Sequence, residues 1–219
     1  MKLKGHFKQN ALFYKDLWII ALPIALQQLV TSSLNMVDTL MVGKVGVDAV
    51  AAVGVSNQYY FLLNMVMFGI YSGGMVYFAQ FWGKKDIRNI HRLLGFTLLL
   101  GMGLAAIFTG LALFIPEQII SIFTDDVAVQ ALGANYLRVA SLSYPFMILS
   151  FGFSMGLRAV EKPKFSMIAS VIALTLNTLL NLVLIFGLFG FPALGVLGAA
   201  VATLVSRIVE FILVLGHDS

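Results

Sequence analysis

The feature that most constrains the fold of this chain is a series of long apolar runs separated by short charged segments. Each run has roughly the 17 to 25 residues that a helix needs to cross the hydrocarbon core of a bilayer. Hydrophobic residues make up 60% of the chain and charged residues 11%, whereas a soluble domain has about 45–50% and about 25%. The runs are rich in Leu, Ala and Gly and lack the alternation of barrel strands. We therefore predict an all-α, polytopic membrane protein.

The apolar runs predict a bundle of six transmembrane helices. Their predicted bounds are 17–42, 53–80, 93–115, 131–157, 165–188 and 193–215. Residues 1–16 then form an N-terminal segment, and residues 216–219 form the C-terminal end. Pro145 lies inside the fourth run, where its missing backbone N–H and its ring favour a bend.

Basic residues in the loops and termini cluster on one side of the predicted bundle. If six spans alternate, eleven of these Lys and Arg residues, including Arg158 after the fourth span, lie on the side of both termini, and only Lys44 lies on the other. Cytoplasmic loops carry such an excess, so we expect both termini in the cytoplasm. The net charge of +4 then reflects orientation in the lipid bilayer, and we do not expect a nucleic-acid partner.

The first span carries a stripe of polar residues on one face, with an acid among them. At about 100° per residue, the stripe covers about a third of the helix circumference. Its members are Gln27, Gln28, Thr31, Asn35, Asp38 and Thr39. An ionisable group in the membrane is costly and marks a functional site by default, so we expect the stripe to line a water-accessible cavity or ion site. The alternative is a hydrogen-bonded seam between two helices.

Spans five and six add neutral polar side chains that could complete an ion site with Asp38. Asn177 and Asn181 lie one turn apart on one helical face, and Thr203 lies on the last span. A carboxylate with neutral oxygen ligands suits a hard cation such as Na⁺, and Asp38, Asn177 and Asn181 are the expected ligands. Either asparagine could instead simply bond a neighbouring helix.

Nothing in the sequence predicts an enzyme or a bound cofactor. The chain has no Cys and lacks a phosphate-binding Gly-rich loop followed by Lys, an HExxH motif and a GxSxG motif. Arg207 and Glu210 are three residues apart in span six, and we expect them to form a local ion pair. Function is therefore expected to reside among the helices.

Several segments, in order along the chain, resemble the multidrug and toxic compound extrusion (MATE) transporters. These are LPIALQQLVTSSLNMVDTLMVG, AQFWGKKD, IISIFTDDVAVQ, GLRAVEKPK and GVLGAAVATLVSR. The resemblance covers almost the whole chain. It implies a fold of twelve helices in two six-helix lobes related by a parallel repeat, of which this chain is similar to the N-terminal lobe. Residues 216–219 would then precede a missing second lobe.

The resemblance also implies a function, an antiporter that exports small organic cations in exchange for H⁺ or Na⁺. In the family the N-lobe acid corresponds to Asp38, and its polar partners correspond to Asn177, Asn181 and Thr203. Some members carry an aspartate where Asn181 stands, so one acid must suffice here. The expected location is the cell membrane of a bacterium or archaeon. The second lobe would come from a homodimer or be missing from the chain.

Two other functions stay open at this level. The chain could be an inactive fragment or an accessory membrane scaffold. It could also be a flippase for lipid-linked oligosaccharides, which shares the architecture. A flippase is expected to place several basic residues in its cavity for pyrophosphate, and near the spans we count only Arg138 and Arg207.

Overall fold

The fold is all-helical in a computed structural model that describes residues 3–159 and 163–216. Eight α-helices and a 3-10 turn, Leu188–Gly190, make up the described part, which contains no strand. The helices are α1 Leu3–Gly43, α2 Val47–Gly83, α3 Ile87–Phe114, α4 Pro116–Ser121, α5 Val127–Ser141, α6 Tyr144–Ala159, α7 Pro163–Phe186 and α8 Val196–Leu215. The predicted fold class is confirmed.

Four of these helices, α2, α3, α7 and α8, are each long and apolar enough to cross a membrane, and α5 with α6 can supply a fifth crossing. That count covers only residues whose side chains are described. The predicted first span, 17–42, lies within α1, where several side chains fall outside that set. Residues 3–16, which belong to the predicted N-terminal segment, are helical and form the first part of α1.

The fourth predicted span, 131–157, is two helices rather than one. The chain breaks after Ser141, and α5 and α6 meet at an angle of 50°. Pro145 is the second residue of α6, a position where a helix tolerates proline because its missing N–H would have no partner there. The two helices can together form the one predicted crossing, and the predicted bend is confirmed.

The interior is built around α2, which presents one apolar face to α3, α5 and α6. Tyr59, Leu63, Met67 and Tyr71 recur along that face and are all buried. Large apolar side chains elsewhere are exposed, with Leu99 at 72% as one example. A soluble protein rarely exposes so much contiguous apolar surface, whereas a bilayer covers it.

Helices α7 and α8 approach each other at backbone distance. A Cβ on Gly198 of α8 would lie 2.6 Å from the carbonyl of Leu184 on α7, so only glycine fits this crossing. Gly187 ends α7 with φ +71°, a left-handed conformation that favours glycine. The chain therefore reverses tightly, and the polar residues of α7 face those of α8.

Candidate cation site and its cavities

Three helices bring the predicted ion-site residues together. Asp38 lies on α1, Asn177 and Asn181 lie one turn apart on α7, and Thr203 lies on α8. Asn177 and Asn181 are buried at 6% and 2% exposure. These four residues were predicted as one cluster from their spacing and the family resemblance, and in the structure they are linked by hydrogen bonds.

Asp38 is held by the two asparagine amides. Asn181 Nδ2 donates to Asp38 Oδ1 at 2.9 Å. When the Asn177 amide nitrogen faces α1, it donates to Asp38 Oδ2 at 2.7 Å, and the amide oxygen accepts from the Thr203 backbone N–H at 3.2 Å. Both carboxylate oxygens then have a donor, which is the arrangement that an ionised Asp38 requires.

The opposite orientation of the Asn177 amide also forms a connected network. Its nitrogen then donates to Thr203 Oγ1 at 3.4 Å, and its oxygen accepts from Asn181 Nδ2 at 3.3 Å. That oxygen also lies 2.7 Å from Asp38 Oδ2, a spacing typical of an O–H···O bond. Two acceptors meet at this distance only when one carries a proton, so this orientation suits a protonated Asp38.

Asn181 contributes a buried oxygen that has no hydrogen-bond partner. Its Nδ2 bonds Asp38, but Oδ1 is without a donor among the described residues. A buried unsatisfied carbonyl is costly and calls for an unseen water or ion. No group of three His, Cys, Asp or Glu side chains that could hold a metal occurs in the described part of the chain. The donor set here is one carboxylate and neutral oxygens.

A cavity of 870 Å³, which we call the main cavity, opens beside this cluster. Asp38, Asn177, Asn181 and Thr203 all line it. Four of the predicted cavity residues on α1, Gln28, Thr31, Asn35 and Thr39, line it as well. The polar stripe on α1 therefore faces a cavity rather than forming only a helix seam.

Gln27, the fifth predicted cavity residue, lies elsewhere. It is absent from the described lining of the main cavity and instead lines a smaller one, of 120 Å³, which we call the second cavity. Gln27 Nε2 donates to Ser170 Oγ at 2.9 Å, and Gln27 Oε1 accepts from Arg158 at 3.0 Å. Neighbouring residues on a helix point about 100° apart, so Gln27 and Gln28 face different cavities.

The predicted ion pair on α8 is confirmed and belongs to a longer chain of bonds. Arg207 Nη1 donates to Glu210 Oε2 at 2.7 Å. Glu210 Oε1 accepts from Ser170 Oγ at 2.8 Å, and Ser170 in turn accepts from Gln27. Arg207 also lines the main cavity. This pair therefore stands between the two cavities.

Sequence reasoning missed polar residues on α2 and α5 that line the main cavity. Asn57, Tyr60 and Asn64 come from α2, and Tyr136 comes from α5. Asn57, Tyr60 and Asn64 are spaced three and four residues apart on one face of an apolar helix. That spacing was a usable signal.

A family model described as MatE matches residues 23–183. The chain is 32% identical over 219 residues to "Probable multidrug resistance protein YoeA" of Bacillus subtilis, covering 95% of this chain and 45% of the relative. It is also 32% identical to "Probable multidrug resistance protein NorM" of Thermotoga maritima, covering 89% of this chain and 42% of that relative. The chain thus spans less than half the length of these curated relatives.

Solved structures show the same fold. The MATE multidrug transporter DinF-BH superposes with a TM-score of 0.86 at 24% identity, over 93% of this chain and 45% of that one. An outward-facing MATE family transporter superposes with a TM-score of 0.82 at 22% identity, over 91% and 44%. With its apolar helices, the chain is a multi-pass membrane protein. The extent of the family match and the shared fold show that the chain belongs to the MatE family.

Proposed function

We propose that this chain forms one lobe of a cation-coupled multidrug antiporter, with Asp38 as the coupling residue. The observation that carries the proposal is the placement of Asp38. It faces the main cavity and bonds two buried amides, one of which belongs to Asn181, whose Oδ1 has no partner among the described residues. A carboxylate so placed can bind H⁺ directly, or Na⁺ together with neutral oxygens.

The main cavity has the size and lining expected for an organic cation. Its 870 Å³ falls within the range of about 300–1,000 Å³ that is usual for small-molecule sites. Tyr60, Phe61 and Tyr136 supply aromatic surface, which attracts cations through the ring quadrupole. Asp38 supplies the negative charge, so a drug cation and the coupling ion would compete for one carboxylate.

Coupling would work through the hydrogen bonds of Asp38. An ionised carboxylate favours the Asn177 nitrogen, whereas a protonated one favours the Asn177 oxygen. Binding of the coupling ion therefore changes the contacts between α1 and α7. A membrane potential adds about 2.3 kcal/mol per charge per 100 mV to inward movement of that ion.

The proposed assembly lies in the cell membrane and has two lobes with parallel topology. The termini of both lobes face the cytoplasm. The second lobe would come from another copy of this chain or from a partner chain. Mass measurement after mild detergent extraction distinguishes a dimer from a monomer. A monomer without transport would favour the fragment or scaffold alternatives.

The flippase alternative is weaker than the antiporter because of the charge in the main cavity. Among its described lining residues, Arg207 is the one basic side chain, and Glu210 neutralises it. Arg138 pairs with Glu117 at 2.8 Å and is absent from that lining. A pyrophosphate group would therefore meet little positive charge.

The decisive experiment is ethidium transport in proteoliposomes with imposed Na⁺ and H⁺ gradients of either direction. We expect ethidium movement opposite to one of these gradients and little movement without them. Asp38→Asn should abolish the gradient dependence, whereas Asp48→Asn, which changes an exposed acid at the start of α2, should keep it. Unchanged coupling in Asp38→Asn would overturn the proposal.

A further inference from the structure

The second cavity is a separate site in the bundle, distinct from the main cavity. It has a volume of 120 Å³ and is lined from α1, α2, α6, α7 and α8. Tyr60, Asn64, Met147 and Arg207 line both cavities and so form the wall between them. A ligand of drug size needs about 300 Å³ or more, so this cavity suits only something small.

The charged groups that line the second cavity do not balance among the described residues. They are Arg158, Arg207 and Glu210, which gives two positive charges, one negative charge and a net charge of +1. Both Glu210 oxygens are already engaged, one by Arg207 and one by Ser170. Arg158 bonds only the neutral Gln27 Oε1 among the described residues. The excess charge therefore belongs to Arg158.

Unused hydrogen-bond donors line the same cavity. Arg158 Nε and Ser150 Oγ are buried and have no partner among the described residues, and Ser150 is only 3% exposed. Ser150, Ser154 and Arg158 follow one another at four-residue spacing on α6, and all three line the cavity. They form a row of donors along one helical face.

We propose that the second cavity binds one small monovalent anion, a halide or a small carboxylate, between Arg158 and the hydroxyl groups of Ser150 and Ser154. A charge that is half-buried and bonded only to a neutral group is costly. One anion would neutralise the net charge of the described lining and accept hydrogen bonds from the unused donors. A water molecule occupies about 30 Å³ in the liquid, so 120 Å³ accommodates chloride or formate. The inference of an anion site does not rest on the proposed cation site or on the proposed transport.

Occupancy of the site would also fix the position of α1. Arg158 donates a hydrogen bond to Gln27 of α1 at 3.0 Å, and Gln27 donates one to Ser170 of α7 at 2.9 Å. An anion that orders the Arg158 guanidinium orders this connection as well. We therefore expect chloride to stabilise the folded chain, beyond the general effect of salt.

The test is ³⁵Cl line broadening with the full chain purified in detergent, at constant ionic strength with gluconate as the balancing anion. We expect saturable broadening that reports exchange of chloride with the protein. Competition by formate at similar concentration shows that the site also takes carboxylates, whereas its failure to compete identifies a halide site. Absence of saturable broadening by chloride, together with no broadening of ¹³C-formate, overturns the proposal.

Variants assign the broadening to this cavity. Arg158→Gln should remove at least about three quarters of the saturable part, whereas Arg138→Gln, which changes an exposed arginine paired with Glu117, should retain it. The double change Ser150→Ala and Ser154→Ala keeps the charge and removes two donors, and should weaken binding at least about threefold. This double variant provides the test if gel filtration shows that Arg158→Gln does not fold. Wild-type binding in the double serine variant and in any folded Arg158→Gln protein overturns the assignment.

Discussion

Replacing Asp38 by alanine and by asparagine separates its hydrogen bonds from its charge. Asp38→Asn keeps the shape of the side chain and one acceptor oxygen, and the Asn177 amide can turn to face the new NH₂ group. Asp38→Ala keeps neither and leaves the amides of Asn177 and Asn181 without this acceptor. Because both variants are neutral, the cost of burying a charge cancels when they are compared.

The expected difference between the two variants follows from two hydrogen bonds. Asn181 and Asn177 approach Asp38 at 2.9 Å and 2.7 Å, and a neutral bond of this kind contributes about 0.5–1.5 kcal/mol. The higher helix propensity of alanine than of asparagine offsets up to about 0.7 kcal/mol of this loss. We therefore expect Asp38→Ala to be less stable than Asp38→Asn by about 1–2 kcal/mol, or roughly 5- to 30-fold in the unfolding constant.

The assay is equilibrium unfolding in mixed micelles, followed by far-ultraviolet circular dichroism. Asn35→Ala is the matched control, because Asn35 lies on the same helix and is exposed on the main cavity. That change should be neutral or stabilise by up to about 0.7 kcal/mol, the helix-propensity effect alone. If Asp38→Ala and Asp38→Asn unfold at the same detergent fraction, the carboxyl group does not hold α1 to α7 and the reasoning fails.

Three further changes test the packing, the buried ion pair and a helix cap. Gly198→Ala should destabilise the chain by about 1–3 kcal/mol, since its Cβ would meet backbone, whereas Gly103→Ala meets nothing within 4 Å and should be tolerated; equal unfolding would contradict the close crossing. Arg207→Gln should cost about 3–5 kcal/mol, against at most about 1 kcal/mol for the exposed Arg138→Gln. Similar losses in these two variants would show that Arg207 is not in a low-dielectric site. Asp126→Ala removes the side-chain cap of α5 and should cost about 1 kcal/mol, measured by the same unfolding assay.

The polar cluster of Asp38, Asn177, Asn181 and Thr203 could be predicted because polar residues stand out in apolar helices. Inside a bilayer, Asp38, Asn177 and Asn181 have few hydrogen-bond partners other than one another. The face of a single residue is harder to assign, since α1 touches two cavities and Gln27 and Gln28 separate between them. Helical periodicity alone predicts one polar stripe on α1. It does not show which of its residues face the main cavity and which face the second cavity.

Arg158 shows a second limit of predicting structure from sequence. Its position after an apolar run placed it among the loop cations that set orientation, yet in the structure it lines the second cavity and bonds Gln27. The positive-inside rule counts basic residues near the ends of the spans and does not consider where each side chain points. Pro145 likewise indicated a bend near the break between α5 and α6, but the sequence does not predict its angle of 50°.

The close crossing of Gly198 and Leu184 bears on which ion the proposed antiporter would use for coupling. Because α7 and α8 touch through their backbones, Asn177, Asn181 and Thr203 keep nearly fixed spacings, whereas Asp38 lies on α1, outside this crossing. A proton fits the 2.7 Å O···O spacing of one Asn177 amide orientation, whereas Na⁺ bound by the same two oxygens would need them further apart. The choice of coupling ion would then depend on how easily one helix moves against a fixed pair, rather than on the identity of the ligands.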